Sequence, residues 1–259
     1  MKSAGAYACF MLALFTHGAA FAQASNPAQN IAASVAATAT PALILNSEDF
    51  PPFNYPDTDG KTAKGLATEK IIELMARAEE NYSIHFYPWV RSFQAARQHA
   101  STCIYVVTRT PEREAMFQWV GPLVKNTWTV FARADDARRP ISMDELRPYL
   151  LGAYRQGAVS EYLLAKGYQA ELANADRDNP KKLLAKRFDF WITGELVGHA
   201  FIKDLGLKDK IIAILPLQTK ELYLACNHGV AKERIERLNM ILKNMENDGT
   251  NASIEKKFR

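Results

Sequence analysis

Cysteine is scarce in this chain, three in 259 residues, and no two stand at the short spacing that a zinc site needs. Histidine is nearly as sparse. His85, His99, His199 and His228 are widely spaced, with no His-Glu-x-x-His helix, and neither a Gly-x-x-x-x-Gly-Lys loop nor a nucleophile elbow is present. No metal or cofactor is expected. Neither sign of charge dominates: 32 basic and 28 acidic residues leave a net +4, scattered rather than striped, so nucleic acid is not expected as a partner. Beyond the N-terminus no segment reaches the ~20 apolar residues of a membrane helix.

What is present is ordinary globular composition, 48% hydrophobic and 23% charged, at a length that suits one bilobal unit or two small domains. Lys2, an apolar run from Ala4 to Phe15 and then Ala20-Phe21-Ala22 read as an export signal with a small-x-small end. Cleavage after Ala22 is expected, giving a soluble periplasmic protein. Cys9 lies inside the apolar run ahead of Phe10, so no lipid anchor is expected. Residues 23–41 are mostly Ala, Ser, Thr, Asn and Pro; they bury too little to recover the entropy of ordering and read as a flexible leader. An oxidising compartment would permit a bond between Cys103 and Cys226. Two buried thiols are the commoner fate of strand cysteines, and both outcomes stay open at this point.

Along the folded part, Ala42–Leu45 reads as a buried strand. Ile71, Leu74, Met75 and Ala78 have helical spacing behind Thr68 as N-cap, and Ile84 and Phe86 alternate as a strand does. Cys103–Val107 is a continuous apolar strand, and Thr127–Phe131 alternates. The second half offers strands at Leu150–Tyr154, Ala170–Leu172, Phe188–Ile192, Ile211–Leu215 and Glu221–Ala225. Helices fall between them, one from Ser160 to Lys166 stopped by Gly167, one opened by Asn179-Pro180 with Asn179 as cap. Ala231, Ile235, Leu238, Leu242 and Met245 share one face of a last helix, ended by Gly249. This alternation predicts an α/β protein of two lobes, each a sheet flanked by helices.

Thr108 to Pro122 joins a guanidinium-bearing turn to an apolar strand entry, which suggests an anion clamp. With Phe50-Pro51-Pro52-Phe53-Asn54-Tyr55, Asp59-Gly60, Gly65-Leu66 and Pro88-Trp89-Val90-Arg91 before it, and Gly152 to Gly157 and Asn247-Asp248-Gly249 after it, it resembles the bacterial periplasmic solute-binding proteins of family 3. That is the amino-acid-binding type with the type II periplasmic-binding fold. The resemblance covers nearly the whole mature chain. It implies two mixed-sheet lobes with a ligand cleft between them, and chain crossings near Ala132 and Cys226. Lobe one would then comprise 42–132 and 226–259, and lobe two 133–225. It also implies a small-molecule ligand and a membrane permease on a separate chain; a monomer is expected.

Arg113 is the leading site residue. Its planar fork suits a carboxylate, and the resemblance gives the arginine three positions after Thr110 that role. Thr108 stands where relatives use a hydroxyl residue toward the same group. Gln156-Gly157-Ala158-Val159 corresponds to a glycine turn opening a helix, so the N–H groups of Gly157 and Ala158 would meet the anion from the facing lobe. Phe50 and Trp89 stand where relatives present an aromatic surface, and Arg91 is a second candidate cation. One departure matters: the acids that hold an α-ammonium group align with Gly194 and Ser47. Glu195 and Glu48 are one residue away, so a carboxylate lacking the amine fits as well as an amino acid.

The expected function is a periplasmic receptor that captures a small polar carboxylate-bearing solute, an amino acid or a related compound, for an ABC-type importer. Two rivals remain open. One is an enzyme resembling the periplasmic cyclohexadienyl dehydratases, with Glu195 as the general acid. The other is a sensing subunit that reports to a separate receptor.

Overall fold

The computed structural model describes residues 41–60 and 62–258; the expected cleavage site after Ala22 and the leader as far as Thr40 lie outside them. The first strand, β1 (Leu43–Ser47), is buried except at Ile44. A short hairpin of β2 (Tyr55–Pro56) and β3 (Ala63–Lys64) leads to α1 (Leu66–Arg77). There follow β4 (Tyr82–Phe86), α2 (Trp89–Gln98), β5 (Thr102–Thr108), the single turn α3 (Pro111–Glu114) and the long strand β6 (Gln118–Arg133).

Helix α1 begins two residues before the expected cap. Gly65 takes φ +119°, and its missing Cβ lets the chain pass the Phe53 carbonyl. The first helical N–H groups are then satisfied by backbone: Leu66 donates to Pro52, and Ala67 and Thr68 donate to Phe53. Thr68 is thereby freed from capping. Its hydroxyl lies inside the fold, 3.0 Å from that of Tyr105.

The second half contains β7 (Leu151–Tyr154), α4 (Ala158–Ala165), β8 (Ala170–Ala173), α5 (Asn179–Leu184), β9 (Phe190–Gly194) and α6 (Glu195–Asp204). Then come β10 (Ile211–Cys226), α7 (Lys232–Asn247) and α8 (Thr250–Lys256). Asn179 is the first residue of α5 rather than its cap, because its amide is drawn to Asp176 at 2.8 Å. Gly249, at φ +81°, ends α7 as expected and at once caps α8, a helix absent from the sequence reading.

Eight strands form one mixed sheet in the order β4-β1-β5-β10-β6-β9-β7-β8. The outer groups are internally parallel, β4, β1 and β5 on one side and β9, β7 and β8 on the other. Between them β6 and β10 run antiparallel along nearly their whole length. The end of β10, Leu222–Cys226, pairs with β5, and Trp128–Phe131 of β6 pairs with β9, so each long strand serves both halves of the sheet. The strands expected at Ile211–Leu215 and Glu221–Ala225 are thus one. Register shifts on either side of Pro216 absorb a residue that cannot donate to a ladder.

The largest buried cluster runs through both halves, with Leu43, Leu45 and Ile71 in the same cluster as Phe131, Trp191 and Phe201, and each half adds a smaller one. Trp89, Ile104, Val107, Phe117 and Ala225 pack in the first, and Val130, Leu151, Leu163, Phe190 and Ile192 in the second. Cys103 and Cys226 are directly opposed across β5 and β10, with Cα atoms 4.0 Å apart, and they are disulfide-bonded. Of the two outcomes left open by the sequence, the bond is the one formed, because antiparallel pairing of two strands distant in sequence makes the cysteines cross-strand neighbours.

Candidate functional site

A partly open cavity of about 60 Å³ lies where strand ends of the two halves meet. The first half contributes Glu48 and Phe50 from the turn after β1, Trp89 from the start of α2, Val106 and Thr108 from β5, and Arg113 from α3. The second contributes Tyr154, the start of α4, Asp176, and Thr193 with Gly194 at the end of β9. Asn126, Trp128 and Leu222, from the two long strands, also line it.

Arg113 is 2% exposed and lies over the rings of Trp89 and Phe93, 5.5 and 5.2 Å from their centroids. Its Nη2 donates to Glu161 Oε2 at 2.8 Å and to the Gln156 carbonyl at 3.2 Å, both on the facing half. Burial pulls its pKa down and the Glu161 carboxylate pushes it back up. Arg113, Trp89, Trp128 and Ala158 also wall an outer chamber of about 590 Å³, from which Glu161 reaches the guanidinium.

Gln156 adopts φ +57° just ahead of α4. That turns its carbonyl to accept from Trp89 Nε1 at 2.9 Å as well as from Arg113. The Gly157 N–H donates to the Tyr154 carbonyl at 3.2 Å. The N–H groups of Ala158 and Val159 begin the helix and have no intrahelical acceptor.

A second cross-cleft bond joins the Tyr154 hydroxyl to Glu48 Oε2 at 2.8 Å. Enclosure in the cavity wall raises the Glu48 carboxyl from its ordinary 4.5 to about 8; the Tyr154 hydrogen bond opposes this, and the nearby Asp176 and Asp49 reinforce it. Burial likewise raises Asp176, against hydrogen bonds donated by Thr193, Asn179 and Trp191. The Tyr154 phenol is raised by burial and by the Glu48 charge.

Six of the eight sequence candidates, Arg113, Thr108, Phe50, Trp89, Gly157 and Ala158, come together here. Arg91 and Glu195 do not. The Arg91 guanidinium stacks 4.0 Å above the Tyr87 ring, on a separate outer groove, and Glu195 opens α6 without reaching the cavity wall. Glu48, one position from Ser47, does face the cavity. Sequence reasoning missed Asp176, Asn126, Tyr154 and Val106. Val106 is a β-branched residue at φ +67°, and β5 meets β10 through an irregularity there; such bulges recur beside binding sites. Among the described residues no cluster of His, Cys, Asp and Glu could hold a metal, and no helix is long and apolar enough to cross a membrane.

Comparison with solved structures supports the fold. The chain is similar to a histidine kinase sensor domain with similarity to periplasmic binding proteins, at TM-score 0.77 and 19% identity over 83% of this chain and 95% of that one. It is similar to a mutant of the arginine-binding protein ArgBP from T. maritima, at 0.72 and 17% over 83% and 94%. It is also similar to AncCDT-1, an ancestral amino-acid-binding protein and a precursor of cyclohexadienyl dehydratase, at 0.72 and 17% over 83% and 94%. No curated protein matches. These likenesses establish a type II periplasmic-binding fold. The profile of the bacterial extracellular solute-binding proteins, family 3, matches residues 43–259, and the chain belongs to that family.

Proposed function

We propose that this protein is an exported, monomeric receptor that closes two lobes over one small polar solute bearing a carboxylate, an amino acid or related compound, and delivers it to an ABC-type importer. The permease would be a separate polypeptide. The observation that carries the reading is Arg113: a guanidinium almost wholly removed from water, set between the lobes at the edge of a small cavity, beside Thr108 and the opening turn of α4. A solute carboxylate would take the place of Glu161 on that fork. Residues 1–22 would be the removed signal and 23–41 the leader. We propose the hinge in the middle of the two long strands, around Asn126–Trp128 and Lys220–Leu222, between the stretch of β10 that pairs with β5 and the stretch of β6 that pairs with β9. The lobe boundaries near Ala132 and Cys226 would then be the outer limits of that hinge region.

The test is a thermal-shift screen of amino acids, organic acids and polyamines on the mature protein. A solute at ~100 times its Kd adds about 2.7 kcal/mol of apparent stability. Arg113→Lys, which keeps the charge and loses the fork, should abolish the response to acidic solutes; an unchanged response would sink the reading.

One rival gains an observation. Glu48 is a carboxyl of the cavity wall held protonated near neutral pH, as a general acid must be, and AncCDT-1 is a precursor of a dehydratase. Turnover of prephenate or arogenate, lost in Glu48→Gln, would favour it. The sensor-domain likeness likewise keeps a reporting role in view.

A further inference from the structure

We propose that Asn126, seated on Gly194, selects the solute: its side-chain carbonyl accepts an N–H from an amino or amide nitrogen bound in the cavity. The proposal rests on the receptor reading above and adds a second recognised group to the carboxylate.

Three observations lead there. Asn126 is 6% exposed, lines the cavity, and its Oδ1 has no hydrogen-bond partner. Of the buried side-chain atoms left unpaired among the described residues, it is the one that belongs to a residue lining this small cavity; Thr110 Oγ1 is another, in the outer chamber. A buried carbonyl kept without a donor is destabilising and calls for a reason.

Gly194 supplies the second. Its backbone, at φ −65° and ψ 137°, suits any residue, so the glycine is not there for conformational freedom. A Cβ at this position would stand 2.2 Å from Asn126 Oδ1 and 2.6 Å from Nδ2. The absent side chain is the space the amide occupies. Residue 126 on β6 and residue 194 at the end of β9 are therefore fitted to each other, on adjacent strands.

The third is the company of the amide. The carboxyls of Glu48 and Asp176 line the same cavity, and Tyr154, Thr193, Asn179 and Trp191 donate to them. The unpaired Asn126 carbonyl therefore shares its wall with carboxyls that already accept from neighbouring donors. An N–H donor on a solute completes that carbonyl, whereas a solute oxygen without a proton cannot. Taken with Arg113, the chemistry fits a compact solute carrying a carboxylate and a nitrogen donor.

The experiment compares wild type with Asn126→Leu by melting and by calorimetric titration with matched probes: alanine, lactate and propionate, then glutamine, 2-hydroxyglutarate and glutarate. Asn126→Leu should raise the melting temperature without additive by about 2–4 °C, because an unpaired buried acceptor is removed. It should also weaken the nitrogen-bearing member of a bound set by about tenfold or more and leave the nitrogen-free members within about threefold. A lower melting temperature would mean that the amide is structural and would overturn the proposal, as would unchanged discrimination in a variant whose binding still depends on Arg113. If no probe shifts even the wild type, the carboxylate reading falls and this inference with it.

Discussion

Arg113 Nη2 and Glu161 Oε2 lie 2.8 Å apart across the cleft, so the guanidinium of one half is held by a carboxylate of the other. Glu161 is 48% exposed, whereas Arg113 is buried. The partner that can move away is therefore the acid, and its departure leaves the fork facing the cavity.

Glu161→Gln should accordingly bind carboxylate solutes about threefold to tenfold more tightly, since the competing anion is gone. The pair's stabilising worth is small because one partner is solvated, about 1 kcal/mol, so the melting temperature should drop by only about 2–4 °C. Titration calorimetry and melting curves on the same preparation check both. Weaker binding would mean that Glu161 helps to close the cleft more than it competes.

Acidity provides a second test. With a folded pKa of about 8 against an ordinary 4.5, Glu48 keeps a proton in the folded state that the unfolded chain has lost. Between those two values stability therefore falls as pH rises, with a slope approaching about 1.4 kcal/mol per pH unit, and below 4.5 the penalty vanishes. Glu48→Gln should remove this component. Urea midpoints at pH 5 and pH 7.5 should diverge in favour of the variant; parallel profiles would exclude a raised Glu48.

The Cys103–Cys226 bond spans 123 residues of chain. Replacing both cysteines by alanine should lower stability by about 2–4 kcal/mol, the range for a crosslink that closes a long loop. Denaturant melts of the variant and of the oxidised wild type measure the difference, and an equal midpoint would refute it.

Gly65 combines φ +119° with a would-be Cβ 2.4 Å from the Phe53 carbonyl oxygen. Backbone cannot step aside as a flexible side chain can. Gly65→Ala should cost about 2–4 kcal/mol in chemical denaturation, while Gly60→Ala, at φ +66° with open space around it, should cost about 1 kcal/mol.

The sequence disclosed those features whose cause is local. Periodicity found the strands and most helices, and the glycines at 167 and 249 marked helix ends because only a left-handed residue serves there. Arg113 stood out as a fork-bearing cation at the entry to an apolar strand. The misses arose through contacts made at a distance. Asp176 sits in Asp176-Arg177-Asp178-Asn179, where every residue reads as a turn or cap, and only Trp191 and Thr193 on another strand make it the buried one. Asn126 falls just ahead of the alternation that begins at Thr127, and only pairing with Lys220 of β10 places it within the long strand. Arg91 and Glu195 show how an offset of a residue or two turns a side chain to another surface.

The pairing of β5 with the last residues of β10 also sets an order of assembly. A polypeptide emerging N-terminus first makes β1, β4 and β5 early, yet their sheet lacks its inner neighbour until Cys226 arrives. The beginning of the molecule must wait for its end, while residues 128–215 have their strand partners sooner. A polypeptide truncated before Leu222 would lose the early-made half before the later one.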